Sequence, residues 1–177
     1  QDDASRLMAM QNGEVDCDNN VSAAGLDIFE QDPETYQITS VPASRLQFYI
    51  LNHATMDESV REAVQLAIDS ESMISYLNGT VSVAYGPFSA NSAYGQVTPK
   101  ETDPQKAMQI LEDAGYERNQ EGYWERNGEV LSLRIAYYTA RSLDTLAVLM
   151  QEQLEQVGIQ CELMVAEDPD ATYIATG

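Results

Sequence analysis

The sequence is poor in positive charge. Nine Lys and Arg stand against 29 Asp and Glu among its 177 residues, a formal net charge of −20. A surface this acidic repels phosphate backbones and anionic lipids, so nucleic acids and membrane surfaces are disfavoured as partners. The excess of carboxylates is typical of a protein that is kept soluble by its charge, as exported and cell-surface proteins are.

Residues that carry catalysis, redox chemistry or metals are also scarce. Cys17 and Cys161 are too few for a disulfide framework or a zinc site, and we favour burial as small hydrophobic residues over pairing with each other. His53 is the only histidine. No serine lies in a nucleophile elbow, so no nucleophile and base can be paired. We therefore predict that the protein is not an enzyme and has neither a cofactor nor a metal site.

Long hydrophobic runs are missing too. No segment reaches the roughly 18–20 apolar residues that a membrane-spanning helix requires, so we expect no direct membrane insertion. The composition, with 44% hydrophobic and 21% charged residues, is that of an ordinary globular domain. A length of 177 residues suffices for one buried core, so we expect residues 1–177 to form a single α/β domain. Because the sequence starts at Gln1 rather than Met and ends at Gly177 just after a predicted strand, we expect it to be a piece of a longer protein.

The clearest pattern in the sequence is a strand, a helix and a second strand within residues 129–166. Apolar residues alternate from Leu131 to Tyr137, which is the period of a strand. Helical spacing then runs from Leu143 to Val157, and Gly158 suits a left-handed helix end. Alternation returns from Ile159 to Val165. This order predicts a βαβ unit with parallel strands and a right-handed crossover.

Shorter patterns predict the remaining elements, in a mixed sheet flanked by helices. Asp103-Pro104 and Asp57 are typical helix starts, and Asn127-Gly128 favours a type I′ hairpin. The predicted helices cover residues 5–11, 57–68, 70–77 and 104–114, with a weaker helical tendency at 23–29. The predicted further strands cover residues 14–17, 36–41 and 46–51. Residues 80–99 form a long loop of the kind that is usually functional.

Ligands of βαβ folds meet the carboxyl ends of the strands, which places our first candidate site at residues 137–141. Tyr137 and Tyr138 supply aromatic rings and Arg141 a planar cation, a set that suits a small anionic or zwitterionic ligand. The alternative is that Tyr137 packs inward and Arg141 pairs with an acid near the helix start. Both interpretations stay open at this point.

Two weaker patterns have simpler explanations. Asp16, Asp18 and Asn20 fall at the first, third and fifth positions of a calcium loop, but Val21 stands where the loop needs glycine, so polar turn residues are the better interpretation. His53 follows a predicted strand end and would line a pocket there, although a lone histidine is more often a surface residue.

Four motifs, in this order, resemble those of the bacterial extracellular solute-binding proteins of family 5, the peptide, dipeptide and nickel receptors of ABC importers. They are Ala9–Asp16 ("AMQNGEVD"), Phe48–Asp69 with its "DESVREAVQLAID", Asp103–Tyr116 ("DPQKAMQILEDAGY") and Gln151–Ile159 ("QEQLEQVGI"). The segments that begin at Tyr85 and at Tyr138 are most similar to the nickel-type branch.

The resemblance implies a type II periplasmic-binding-protein-like lobe, one half of a bilobed receptor with the first lobe and the return segment outside this chain. It implies that a peptide or a nickel chelate binds in a cleft between lobes and passes to an ABC permease in the membrane, from a periplasmic or lipid-anchored extracellular receptor. A ligand-sensing domain of a regulatory protein is the alternative. The cleft-facing candidates are Asn52, His53, Tyr85, Tyr137, Tyr138 and Arg141.

Overall fold

Six helices and five strands are found in the part of the chain that a computed structural model describes, residues 3–19, 21–41, 43–77, 80–84, 86–88, 94 and 101–168. In chain order they are α1 (Asp3–Gln11), α2 (Ala23–Glu30), α3 (Glu58–Ala67), α4 (Ser70–Ser75), α5 (Pro104–Asp113), β1 (Glu117–Arg118), β2 (Trp124–Arg126), β3 (Glu129–Val130), β4 (Ser132–Tyr137), α6 (Leu143–Gln156) and β5 (Gln160–Val165).

The helix starts largely follow the sequence signals. The Asp103 carboxylate accepts the N–H of Lys106 at 2.9 Å and Pro104 follows it, so α5 begins as predicted. Asp69 accepts the N–H groups of two residues in the first turn of α4. Asp57 precedes α3 but makes no side-chain cap bond, because its carboxylate forms an ion pair with Arg126.

The predicted hairpin joins β2 and β3. These strands pair antiparallel with Arg126 opposite Glu129. Asn127 and Gly128 both have positive φ, +57° and +81°, which is the geometry of the type I′ turn. The Asn-Gly prediction is therefore confirmed.

The predicted βαβ unit is confirmed as well. β4 pairs parallel with β5, with Ile135 opposite Leu163, and α6 connects them. Gly158 ends the helix with a φ of +84°. Because the strands are parallel, their carboxyl ends at Tyr137 and Val165 lie at the same edge of the sheet.

In the described part of the chain the strands form two sheets flanked by helices, and the predicted α/β class is confirmed. One sheet is antiparallel, in the order β1-β2-β3, and the other is the parallel pair β4-β5. Leu131 joins them: its N–H donates to the Trp124 carbonyl at 2.7 Å, and its own carbonyl accepts the N–H of Gln160 at 3.1 Å. The chain leaves one ladder and enters the other at this residue.

The strands predicted at 14–17, 36–41 and 46–51 were wrong, since none of these segments lies in a strand. A strand is stabilised by its neighbours, and no described strand pairs with these segments. The alternating apolar residues of segment 46–51 therefore do not pack against a sheet neighbour. Phe48 remains 77% exposed and Ile50 72% exposed.

The hydrophobic core lies where α3 and α5 pack against each other and against the βαβ unit. Both helices turn an apolar face inward, at helical spacing, and a charged face outward. The largest fully buried side chains are Val64, Leu111, Leu154, Val157 and Ile159. The βαβ unit is thus anchored through α6 and β5, while its strand ends remain at the surface.

Candidate functional site

The link from β4 to α6 is a tight turn at the carboxyl edge of the parallel sheet. The N–H of Ala140 donates to the Tyr138 carbonyl at 2.9 Å, and the N–H of Leu143 donates to the Ala140 carbonyl at 3.1 Å. Arg141 and Ser142 both take left-handed backbone angles, with φ of +57° and +58°. Such angles are costly for residues with a side chain, by about 1–2 kcal/mol each. Two in succession mark a turn that the surrounding structure enforces.

Arg141 is held in this turn from two sides. Its Nη1 donates to the Tyr138 hydroxyl at 3.2 Å, and its backbone carbonyl accepts the Gln47 amide Nε2 at 3.1 Å. The guanidinium is exposed and keeps further N–H groups for another partner.

Arg141 lines an open cavity of about 340 Å³. Four segments of the chain surround it: the start of α1, the start of α2, the end of α4 and the β4–α6 link. The lining residues are Asp3, Ser22, Ala23, Tyr76, Leu77, Thr139, Ala140, Arg141, Ser142, Asp144 and Thr145. The lining combines hydroxyl groups, one aromatic ring and charges of both signs.

The charges in the cavity are only partly balanced by the protein itself. Asp3 forms an ion pair with Arg6 at 2.7 Å. Within the described ranges, the ion pairs found include neither Arg141 nor Asp144. The cavity therefore offers a cation and a carboxylate to whatever enters it. The starts of α2 and α6 also face it, and helix N-termini carry partial positive charge.

The structure brings together some of the predicted site residues and separates others. Tyr138 and Arg141 are hydrogen-bonded, whereas Tyr137 is half-buried within the ladder, where its carbonyl accepts the N–H of Ala166 at 2.7 Å. Asn52 and His53 are exposed in the turn before α3 and are not among the residues that line the cavity. Tyr85 lies outside the described residues.

Tyr76 and Asp144 are among the cavity residues that sequence reasoning missed. Asp144 had a sufficient explanation as an acid in the first turn of α6. Tyr76 follows α4 and is 66% exposed, which the helical pattern alone does not indicate. Their common location is set by packing between distant segments, so no local signal was available.

In the calcium-like segment one carboxylate is paired with an arginine of α1. Asp18 accepts a hydrogen bond from Arg6 Nε at 3.1 Å, and Asn20 lies outside the described residues. Across the described ranges, no group of three or more His, Cys, Asp or Glu side chains is arranged to hold a metal ion.

The two cysteines are not paired with each other. Cys161 is buried, as predicted, and burial together with the nearby Glu155 raises the pKa of its thiol to about 12. Cys17 is exposed, so the prediction of burial was wrong for it; it lies in a polar segment outside any helix or strand. In the described part of the chain, no helix is long and apolar enough to cross a membrane.

Comparison with solved structures places this arrangement in a known class. NikZ from Campylobacter jejuni, solved in complex with Ni(L-His), superposes with a TM-score of 0.76 over 97% of this chain and 36% of its own, at 24% identity. The fold is therefore the α/β fold of the periplasmic solute-binding proteins.

Within that class the family is shown by sequence. The family model for the bacterial extracellular solute-binding proteins, family 5, matches residues 1–176, and the chain belongs to this family. The oligopeptide-binding protein AppA of Bacillus subtilis (strain 168) is 32% identical over 123 residues, 66% of this chain and 23% of AppA. The nickel-binding periplasmic protein of Escherichia coli (strain K12) is 29% identical over 184 residues, 97% of this chain and 35% of that protein. The chain thus spans about a third or less of these relatives.

Proposed function

We propose that this chain is a lobe of the solute receptor of an ABC importer, and that the cavity beside Arg141 contacts the solute. The observation that carries the proposal is the coincidence of two features. The family match extends over residues 1–176, and an open cavity with a cationic side chain lies at the carboxyl edge of the chain's parallel sheet. In open α/β sheets this edge is where ligands bind.

The chemistry of the cavity supports a ligand with an anionic group. A guanidinium can hold a carboxylate through two parallel N–H···O bonds. The Arg141 side chain is exposed, so a ligand carboxylate can reach it. The bond from Arg141 to Tyr138 would orient the guanidinium before the ligand arrives, which lowers the entropy cost of binding. Tyr138 thereby serves as a positioning residue for Arg141.

The solute is a peptide or a nickel chelate in this proposal. The two relatives are described as binding oligopeptides and nickel, respectively. A peptide and a nickel ion complexed by an amino acid both present carboxylate groups, so Arg141 suits either. The receptor works outside the cytoplasm, as a periplasmic or lipid-anchored protein, and hands the solute unchanged to a membrane permease. Binding and release, with no bond chemistry, account for its function.

The test is isothermal titration of the complete receptor with di-, tri- and pentaalanine and with nickel(II) in L-histidine. We expect one of these solutes to bind, and Arg141→Ala to weaken that binding about tenfold or more, because a charge-assisted hydrogen bond is lost. Arg141→Lys should restore only part of the affinity, since an ammonium lacks the planar fork.

The matched control is Arg134→Ala. Arg134 is an exposed arginine on β4 that is not among the residues lining the cavity. The Arg134→Ala substitution removes an arginine charge outside the cavity, so the affinity for the solute should be unchanged. A receptor that binds none of the four solutes, or one in which the Arg141 and Arg134 variants bind equally, would contradict the proposed function.

A further inference from the structure

We infer that Gln47 is a positioning residue for Arg141: its side-chain amide holds the backbone of the β4–α6 link in the conformation that presents the Arg141 guanidinium to the cavity. The inference rests on the proposed function and adds to it a residue from a distant part of the chain. Gln47 is not among the residues that line the cavity, so it acts on the solute through Arg141.

The first argument is the place of this hydrogen bond in the fold. Gln47 Nε2 donates to the Arg141 carbonyl at 3.1 Å, although the two residues are 94 positions apart in the sequence. In the described part of the chain, this is the one hydrogen bond that joins residues 139–142 to a distant segment. The other hydrogen bonds of the link connect near neighbours, so they shape the turn without fixing it to the rest of the lobe.

The second argument is the conformation of the group that accepts the bond. The Arg141 carbonyl belongs to the peptide group between the two left-handed residues, Arg141 and Ser142. Rotation of that peptide group would give Ser142 a negative φ, which is the less strained state for a residue with a side chain. The same rotation would turn the carbonyl away from Gln47 and break the hydrogen bond. Gln47 therefore opposes the relaxation of this turn.

The third argument is the attachment of the segment that carries Gln47. Leu51, four residues further along the chain, packs against the hydrophobic core. The carbonyl of the next residue, Asn52, accepts the N–H of Met56 at 3.0 Å in the turn that leads to α3. The bond from Gln47 thus ties the β4–α6 link to a segment that is attached to the core.

The consequence for binding is a change in the fraction of receptor molecules whose Arg141 is in place. The apparent affinity for a solute falls in proportion to that fraction. One neutral hydrogen bond shifts such an equilibrium by about two- to tenfold. Loss of the Gln47 amide should therefore weaken solute binding by a factor within that range.

The experiment is isothermal titration of the complete receptor and its Gln47→Met variant with dialanine, trialanine, pentaalanine and nickel(II) in L-histidine. Methionine is similar in size to glutamine but has no N–H to donate. The solute that binds the wild-type receptor should bind the variant about fivefold more weakly. Gln37→Met is the matched control, because Gln37 is also exposed and lies outside the cavity, and this variant should bind the solute as tightly as the wild type.

A double-mutant cycle separates a positioning role from a general structural one. In the Arg141→Ala background there is no guanidinium to position, so Gln47→Met should have no further effect on the affinity. Hydrogen exchange of the receptor without solute, followed by NMR, gives a second readout. The N–H of Leu143, which donates to the Ala140 carbonyl in the same link, should exchange faster in the Gln47→Met variant and not in the Gln37→Met variant.

The outcomes distinguish this inference from the proposed function. If Arg141→Ala weakens a solute but Gln47→Met binds it as tightly as the wild type, the inference is wrong and the receptor function stands. Equal losses from Gln47→Met in the two backgrounds, or unchanged exchange at Leu143, would also overturn the inference. If no solute binds the wild-type receptor, the proposed function is wrong and the positioning role is wrong with it.

Discussion

At the scale of single residues, the C-terminal end of α6 is stabilised by side chains that donate hydrogen bonds to one backbone carbonyl. The carbonyl of Val157 accepts hydrogen bonds from Trp124 Nε1 at 2.7 Å and from Arg118 Nη2 at 2.8 Å. The Arg118 guanidinium also lies 4.0 Å from the centre of the Trp124 ring, and partial burial lowers the pKa of Arg118. Two side chains from the antiparallel sheet thus satisfy a helix end that would otherwise be left open.

Gly158 is the residue that makes this arrangement possible. Its φ of +84° disfavours any residue with a side chain, and a Cβ there would overlap the Arg118 guanidinium and come within 2.8 Å of the Gly122 carbonyl. We therefore expect Gly158→Ala to lower the free energy of unfolding by about 2–4 kcal/mol, measured by urea unfolding.

Gly13→Ala is the control for backbone strain alone. Gly13 has a similar φ of +70°, but nothing lies within 4 Å of a Cβ built there. It should cost only about 1 kcal/mol. Equal losses in the two variants would show that contact with Arg118 is irrelevant.

At the scale of elements, the position of α6 depends on a long-range contact that involves Gln153. Its side-chain oxygen accepts the N–H of Asp69 at 2.9 Å, and its Nε2 donates to the Ser72 hydroxyl at 2.9 Å and to the Asp69 carbonyl at 3.3 Å. These bonds fasten α6 to the start of α4, and the residue that follows α4 is Tyr76 of the cavity.

Gln153→Ala should lower the free energy of unfolding by about 1–3 kcal/mol, because several hydrogen bonds are lost together and Asp69 is left partly unsatisfied. The measurement is urea unfolding. Gln156→Ala removes the same side chain from an exposed position of α6 and should change stability by less than about 0.5 kcal/mol. A Gln153 variant as stable as the Gln156 variant would contradict the role assigned to this contact.

Helices, strands and turns with local sequence signals formed where they were predicted, and the isolated strands at 14–17, 36–41 and 46–51 did not. The βαβ unit, α5 and the Asn127-Gly128 hairpin were predictable, because their signals are local: helical spacing, a capping acid and a turn that needs positive φ. The segment 46–51 alternates as a strand should, yet no described strand pairs with it. Alternation states which face would be buried, but pairing depends on partners elsewhere.

The candidate site also contains residues that the sequence could predict and residues that it could not. The carboxyl end of β4 and Arg141 could be predicted from the order of elements, since it follows from the direction of parallel strands. Asp144 and Tyr76 could not, because these two residues lie 68 positions apart in the sequence and both line the cavity only in the folded chain. Only the packing of the whole chain brings them together.

At the scale of the whole molecule, the dominant feature is the net charge of −20. Like charges on one surface repel and destabilise the compact state, and salt screens this repulsion. The ion pairs Arg6–Asp3, Arg6–Asp18 and Arg126–Asp57 are partly exposed and contribute little stability that salt could remove. Screening should therefore stabilise the protein overall.

We expect the melting temperature at pH 7 to rise by about 3–6 °C when NaCl is raised from ~10 mM to ~500 mM, measured by circular dichroism. Near pH 4, close to the sequence pI of about 4.1, the net charge is small and this rise should disappear. A melting temperature that falls with salt at pH 7 would mean that ion pairs outweigh repulsion.

The two ends of α6 differ in how firmly the surrounding residues hold them. At the C-terminal end, Trp124 and Arg118 donate hydrogen bonds to the Val157 carbonyl just before Gly158. At the N-terminal end, the helix follows two residues with left-handed backbone angles, Arg141 and Ser142. If a solute binds beside Arg141 as proposed, we expect any rearrangement of α6 to be confined to the first turn of the helix, where the two left-handed residues can relax. The remainder of α6 is held in place by the hydrogen bonds of Val157 and Gln153, so it would not move with that turn.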